Sequence, residues 1–271
     1  MASVSRAIST IRETVFFMVA SYSKRRISCL SMTPNIKRDF TNTTPSSLRR
    51  SGGLQWHFRA LRHWRLHDSF RRAVGAFLTG WSPPASHLII IGSSAGWFLP
   101  KPFLLTFSRL TLVDLDTSAP FFFARRHGHG LERRGSTLEW WPTDFVHCLP
   151  RLLVDHPDAA ILFCNVLGQL GLERDDYEKR LAELPVRLAG RTWASFHDRY
   201  SARIRRGQQM GTPCFTSQEP MDEGMLQRLG FGGEWTDHGT GGVLPAGVLR
   251  HYFPWYITPR RFHWIEAGAV T

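Results

Sequence analysis

Two short apolar runs, each stopped by a special residue, constrain this chain more than anything else in its sequence. Leu88-Ile89-Ile90-Ile91 ends at Gly92-Ser93-Ser94-Ala95-Gly96, and Leu110-Thr111-Leu112-Val113 ends at Asp114-Leu115-Asp116. Such runs read as neighbouring buried strands of a parallel sheet, because both faces of those strands must be apolar. Glycines after the first strand let the backbone turn sharply and approach a ligand closely. An acid closing the second is placed to accept hydrogen bonds from a ribose diol. The pair points to a nucleoside-bearing ligand.

The rest of the chain continues the pattern. Leu54, Phe58 and Leu61, then Phe70, Val74, Phe77, Leu78 and Trp81, recur at helical spacing. Asp68-Ser69 stands where a cap would, and Pro83-Pro84 ends the helical stretch. Beyond Asp116 the sequence predicts a helix over Ala119–His127 closed by Gly128 and Gly130, then a strand over Thr137–Trp141. A short helix around Phe145–Val154 leads to a strand over Ala159–Cys164, which ends at Asn165. A helix over Asp175–Leu184 precedes a fifth strand over Arg191–Phe196, ending at His197-Asp198. Val248–Ile257 and Arg261–Ala267, joined by Thr258-Pro259-Arg260, read as a hairpin. The expected fold is therefore α/β: a doubly wound, mostly parallel seven-stranded sheet with a C-terminal antiparallel hairpin and an N-terminal helical cover. Gly92–Gly96, Asp114, Asp144, Asn165 and His197 all fall at predicted carboxyl ends of strands. Sheets of this kind bind their ligands there.

Length and charge bound the reading. A chain of 271 residues, 42% hydrophobic, buries one good core. No run of 18 apolar residues exists, so no membrane partner is expected. Cys29, Cys148, Cys164 and Cys214 lack any CxxC spacing and fit a reduced protein. Residues 1–50 hold nine Lys/Arg against two acids, +7 of the net +12, so the body is only mildly basic. Residues 1–53, rich in Ser and Thr and without Trp, read as a disordered basic tail, with a transit peptide as the competing reading. The domain is placed at 54–271, with 54–82 as cover and 87–271 as core. Arginine-rich, lysine-poor usage points to a bacterial cytoplasmic protein.

These residues resemble the class I S-adenosylmethionine-dependent methyltransferase family over roughly Leu54 to Thr271. The family's GxGxG loop after its first strand is matched by Gly92-Ser93-Ser94-Ala95-Gly96, with Ser94 at the middle glycine. Ile90 stands where the family usually has an acid. Asp114 matches the acid that binds the ribose hydroxyls, with Asp116 as fallback. Thr143-Asp144, followed by Leu149-Pro150, matches the acid that contacts the adenine amino group. Cys164-Asn165-Val166-Leu167-Gly168 takes the place that faces the transferred methyl, without the Pro-Pro-Tyr of base-methylating members. The resemblance implies S-adenosylmethionine as cofactor and methyl transfer to an acceptor, by default a small molecule.

A nucleophile on the acceptor would attack the sulfonium methyl, leaving the protein to position both partners and exclude water. His197 is the candidate general base, with an ordinary packing histidine as the competing reading. The glycine loop also matches GxSxG, the nucleophile elbow of α/β-hydrolases, with Ser94 attacking an ester and His251 or His263 as base. A catalytically inactive binding module of the same fold is the third reading. His127-Gly128-His129-Gly130 lacks a third ligand, so no metal is expected. Arg199-Tyr200, Arg203 and Arg205-Arg206 read as a solvated loop, with nucleic-acid phosphates as the alternative partner. Trp97 is placed to cover the cofactor, and nothing in the sequence fixes the oligomeric state.

Overall fold

The computed structural model describes residues 53–172, 176–205, 213–229 and 234–271. The basic tail, Asp175 and Arg206 lie outside the described residues. Helices α1 (Gly53–Arg62) and α2 (Asp68–Gly80) precede β1 (His87–Ile91). Then come α3 (Lys101–Leu104), β2 (Arg109–Val113), α4 (Ala119–Phe123), α5 (His129–Arg134) and β3 (Thr137–Trp141). Next are α6 (Phe145–Asp155), β4 (Ala160–Cys164), α7 (Tyr177–Arg187) and β5 (Trp193–Arg203). The chain closes with β6 (Phe215–Ser217), α8 (Glu223–Arg228), β7 (Thr236–Asp237), β8 (Arg250–Thr258) and β9 (Arg261–Val270).

The seven long strands run in the order 3-2-1-4-5-9-8, with β6 added beyond β8 and β7 paired to β5. β1 lies between β2 and β4, parallel to both, and the order reverses there. β9 and β8 are antiparallel, as the hairpin pattern predicts. This is the doubly wound sheet with a C-terminal hairpin that the resemblance implies.

Alternation along each strand divides the core in two. Leu88 and Ile90, with Leu110, Leu112, Leu162 and Phe196, pack beneath Phe70, Val74 and Leu78 of α2. Ile89 and Ile91, with Ile161, Phe163 and Trp193, pack against Leu149 and Leu152 of α6 and Leu181 and Leu184 of α7. Burial on both faces is why these strands are continuous apolar runs.

Three local expectations are corrected. α1 turns Trp56, His57 and Ala60 toward the body and leaves Leu54, Phe58 and Leu61 40–52% exposed. Two hydrogen bonds through His57 set that rotation. The helix after Ala119 does not stop at Gly128 or Gly130. It passes through a π-turn over Ala124–Gly128 into α5 and ends at Gly135, whose φ of 75° is the left-handed C-terminal cap. Asp68 does not cap α2 but pairs with Arg71 and Arg72 from its first turn.

β5 is the fourth correction, and it matters for the site. The strand does not end at His197-Asp198 but continues to Arg203, because β9 supplies an antiparallel partner along its whole length. Register slips between Asp198 and Tyr200, a β-bulge with Arg199 as the extra residue. Arg199 is therefore no solvated loop residue: it is buried, donates to the Met221 carbonyl and pairs with Asp237. Among the described residues, no helix is long and apolar enough to cross a membrane.

Candidate functional site

A cleft of about 430 Å³ opens at the carboxyl ends of β1, β2, β4 and β5, where the strand order reverses. Gly92, Ser93, Ser94, Asp114, Asp144 and Asn165 all line it. The loop after β1 bends through three left-handed residues, Gly92 at φ 74°, Ser94 at 46° and Gly96 at 64°. A side chain at Gly92 would lie 1.9 Å from Val166 Cγ1, and one at Gly96 would lie 2.7 Å from His127 Nε2. Protein packing demands both glycines, and Gly96 itself lies outside the lining of the cleft. His127 is buried under the loop and donates from Nε2 to the Gly96 carbonyl at 3.2 Å. Burial, aided by Arg126 and Lys101, lowers its pKa to about 4, so it is neutral.

Asp114 forms the floor between β1 and β2. One carboxylate oxygen accepts from Ser94 N at 2.7 Å and the other from Asp116 N at 2.9 Å. Burial raises its pKa from 3.8 to about 6, and the Asp116 charge adds to this against those two bonds. Asp116 also lines the cleft, but its carboxylate is engaged by the protein, accepting from the Ser118 hydroxyl and from His57 Nε2 at 2.8 Å. Its burial alone would raise its pKa, but the His57 and Ser118 bonds outweigh burial and hold it below the usual range.

His57 ties the helical cover to the cleft. Its Nδ1 accepts from the Trp97 indole at 3.0 Å. An indole N–H only donates, so Nδ1 carries no proton and Nε2–H points at Asp116. His57→Ala removes the partner of Asp116 Oδ2, leaving Oδ1 to Ser118, and that of the Trp97 N–H. A loss of about 2–3 kcal/mol is expected, read as a lower urea midpoint at unchanged slope.

Asp144 caps α6, accepting from Val146 N at 2.9 Å. Asn165, at φ 53°, donates from Nδ2 to Asp198 Oδ2 at 3.3 Å, and its Oδ1 is buried without a partner. Asp198 Oδ1 in turn accepts from His263 Nδ1 at 2.6 Å. Burial by itself would raise the Asp198 pKa, but His263, His238 and Asn165 together hold it below the ordinary range. His238 donates from Nδ1 to the Gly168 carbonyl at 3.2 Å and bonds Ser201 Oγ through Nε2 at 3.0 Å. Burial lowers its pKa, so it too is neutral.

His197 is placed elsewhere. It is 0% exposed and is absent from the lining of the cleft, with Nδ1 on Ser195 Oγ at 2.8 Å and Nε2 on Glu266 at 3.1 Å. Neighbouring strand residues face opposite ways, so Asp198 enters the cleft and His197 cannot. Ser94 Oγ has no hydrogen-bond partner, and so no histidine activates it as an ester-cleaving nucleophile. His251 packs against Phe77 instead. Trp97 lines the cleft, joined by Trp56, Phe98 and Trp255. The sequence reading missed His238 and the pairing of Asp198 with His263. Asp198, His238 and His263 each offer a ligand atom, all within 4.8 Å of one another, a grouping with metal-ligand spacing that the sequence reading did not find.

No family model matches the chain, and no curated protein matches it. Solved structures do. The N-methyltransferase NodS from Bradyrhizobium japonicum, in complex with S-adenosyl-L-homocysteine, is 16% identical with a TM-score of 0.41, over 76% of this chain and 90% of that one. The magnesium protoporphyrin IX methyltransferase ChlM from Synechocystis, with bound S-adenosylmethionine, is 14% identical with a TM-score of 0.42, over 82% and 89%. The O-methyltransferase TomG from Streptomyces achromogenes is 14% identical with a TM-score of 0.40, over 86% and 93%.

Proposed function

We propose that residues 54–271 form a methyltransferase domain that uses S-adenosylmethionine to methylate a small-molecule acceptor, with residues 54–82 as its cover. The reading rests on Asp114. A carboxylate fixed by two backbone donors, at the end of the second strand and beside a left-handed glycine loop, suits a ribose diol. The residues present fit the rest of the cofactor. Asp144 stands at the next strand end for the adenine amino group, and Ser93 Oγ and Asn165 Oδ1 are buried acceptors without partners. Ile90 is fully buried in the core, so the acid usual at that position has no counterpart here. When bound, the cofactor supplies an activated methyl on a sulfonium. The protein's part is to hold it at the strand ends and keep water out beneath α1. A cleft of about 430 Å³ lies within the range of small-molecule sites.

Calorimetric titration of the full chain with S-adenosylhomocysteine tests this. Micromolar binding is expected, and a folded protein that binds neither this ligand nor S-adenosylmethionine overturns the reading. Asp144→Asn separates two roles of one residue, because asparagine caps a helix as well as aspartate does. Stability within about 0.5 kcal/mol of wild type is expected, with affinity about tenfold lower, one lost hydrogen bond's worth. Asp144→Ala loses the cap as well, about 1 kcal/mol.

A further inference from the structure

The cleft holds more than a cofactor needs. Beyond Asn165, a second polar group is built into its wall from β5 and β9. Asp198 and His263 are 4% and 3% exposed and joined at 2.6 Å. A carboxylate only accepts, so the proton between them sits on His263 Nδ1. In the neutral ring the lone pair is then on Nε2, on the far side, and that atom is buried with no partner. This is how an imidazole is prepared to take a proton: a buried carboxylate fixes the tautomer and stabilises the imidazolium that forms. His238 stacks on His263 at 5.9 Å between ring centroids and holds it from the other side. The titratable groups against His263 are thus Asp198 from β5 and His238 from the loop after β7, with Arg261, at the start of β9, acting on His238.

The ring lies next to an aromatic wall. Trp255 is 5.8 Å from His263, and Phe98 and Trp56 pack edge-on against Trp255 at 5.3 Å and at 5.9 Å or at a tilt to each other. All of them line the same cleft. Flat apolar groups stack or pack edge-on against such surfaces.

We propose that His263, oriented by Asp198, is the general base of this site and that its acceptor is a hydroxyl on a flat, largely apolar ring. The inference rests on the methyl-transfer reading above. Nε2 takes the hydroxyl proton while an oxygen lone pair forms the new bond to the methyl carbon. The carbon–sulfur bond breaks, its electron pair stays on sulfur, and the proton then leaves His263 for solvent. A metal-binding role for the same three residues is the weaker alternative. Both nitrogens of His238 are engaged with Gly168 and Ser201, and His263 Nδ1 is engaged with Asp198.

The first test needs no acceptor. Long-range proton–nitrogen spectra of chelator-treated, histidine-labelled full chain, assigned with His263→Gln, are expected to show Nδ1–H and a bare Nε2 at pH 8. Asp198→Asn is expected to mix the tautomers. An Nε2–H tautomer in wild type overturns the proposal, as does one equivalent of Zn²⁺ shifting His238 and His263 together. S-adenosylhomocysteine should bind wild type and His263→Gln alike. Binding to neither overturns the methyl-transfer reading, while the tautomer result still judges the dyad. With radiolabelled cofactor and a panel of phenols, naphthols, anilines and thiols, hydroxyl acceptors are expected to be used. His263→Gln should lower kcat by about 100-fold or more, with little change in KM and loss of the acidic limb of the pH profile. Transfer to anilines or thiols only, an undiminished rate in His263→Gln, or no hydroxyl acceptor used by cofactor-binding protein overturns it.

Discussion

Asp114→Ala is expected to weaken S-adenosylhomocysteine binding by more than 100-fold without unfolding the protein. Two contributions add. The carboxylate is the acceptor proposed for the ribose diol, and hydrogen bonds to a charged group are worth about 1.5–3 kcal/mol each. It also braces the loop, holding Ser94 N and Asp116 N from its two oxygens. A loss of about 3–5 kcal/mol corresponds to a drop of two to four decades in affinity. The pH dependence carries the signature of this one group. Its pKa, raised to about 6 by burial, means that the carboxylate is protonated just below neutrality. A protonated acid is a poor acceptor for two hydroxyls, so affinity should fall as pH drops through about 6.

Apo stability should respond to the same group in the opposite direction. The folded protein binds this proton more tightly than the unfolded chain does. Its contribution is therefore fully present below 3.8, the unfolded value, and lost as pH rises through about 6. Titrations and urea melts at pH 5 and pH 7.5, with Asp114→Asn as control, measure both slopes. A non-specific acid effect would weaken binding and stability together, whereas Asp114 weakens one and supports the other.

The strand ends that line the cleft were legible in the sequence because such ends announce themselves. An apolar run that stops at a glycine or an acid fixes both the strand and the residue at its carboxyl end, and Gly92, Asp114, Asp144 and Asn165 were found this way. The wall of the cleft that β5 and β9 supply was not legible for two reasons. First, the end of β5 was misread: an antiparallel neighbour prolongs it to Arg203, and nothing in Arg191–Asp198 foretells that neighbour. Second, alternation allows either His197 or Asp198 to face the cleft, and the residue type favoured the histidine. Phe196 settles the parity: it lies in the core beneath α2, so Asp198 shares its side and His197 does not. The partner His263 has the parity of Ile265 and Ala267 in that same core, but it comes from a strand 65 residues further on. Pairing at that separation is a property of topology. α1 failed differently. Its apolar stripe was real, yet the Asp116–His57–Trp97 hydrogen bonds turn the other side inward.

Glu266→Ala is expected to be the most destabilising single change, about 3–5 kcal/mol. Glu266 is 0% exposed and is the register partner of both Tyr252 and His197. It accepts from Tyr252 Oη at 2.6 Å and from His197 Nε2 at 3.1 Å, and it lies 3.0 Å from Arg250 Nε. Burial and the adjacent carboxylate push the Tyr252 pKa up, so its proton stays in place to be donated. Removing the carboxylate strands the Arg250 charge at 2% exposure, which is the expensive half of a buried pair. Arg250 also holds the carbonyls of Leu244 and Val248, so the loop before β8 should show faster hydrogen exchange in the variant. Glu266→Gln should fall between the two, since one amide oxygen cannot serve both the phenol and the imidazole. His197→Ala should destabilise as well but leave S-adenosylhomocysteine affinity unchanged, because its side of β5 carries this network and the other side carries the cleft. Equal loss of affinity in His197→Ala and Asp198→Ala would contradict that division, which urea denaturation and titration of these two variants measure directly.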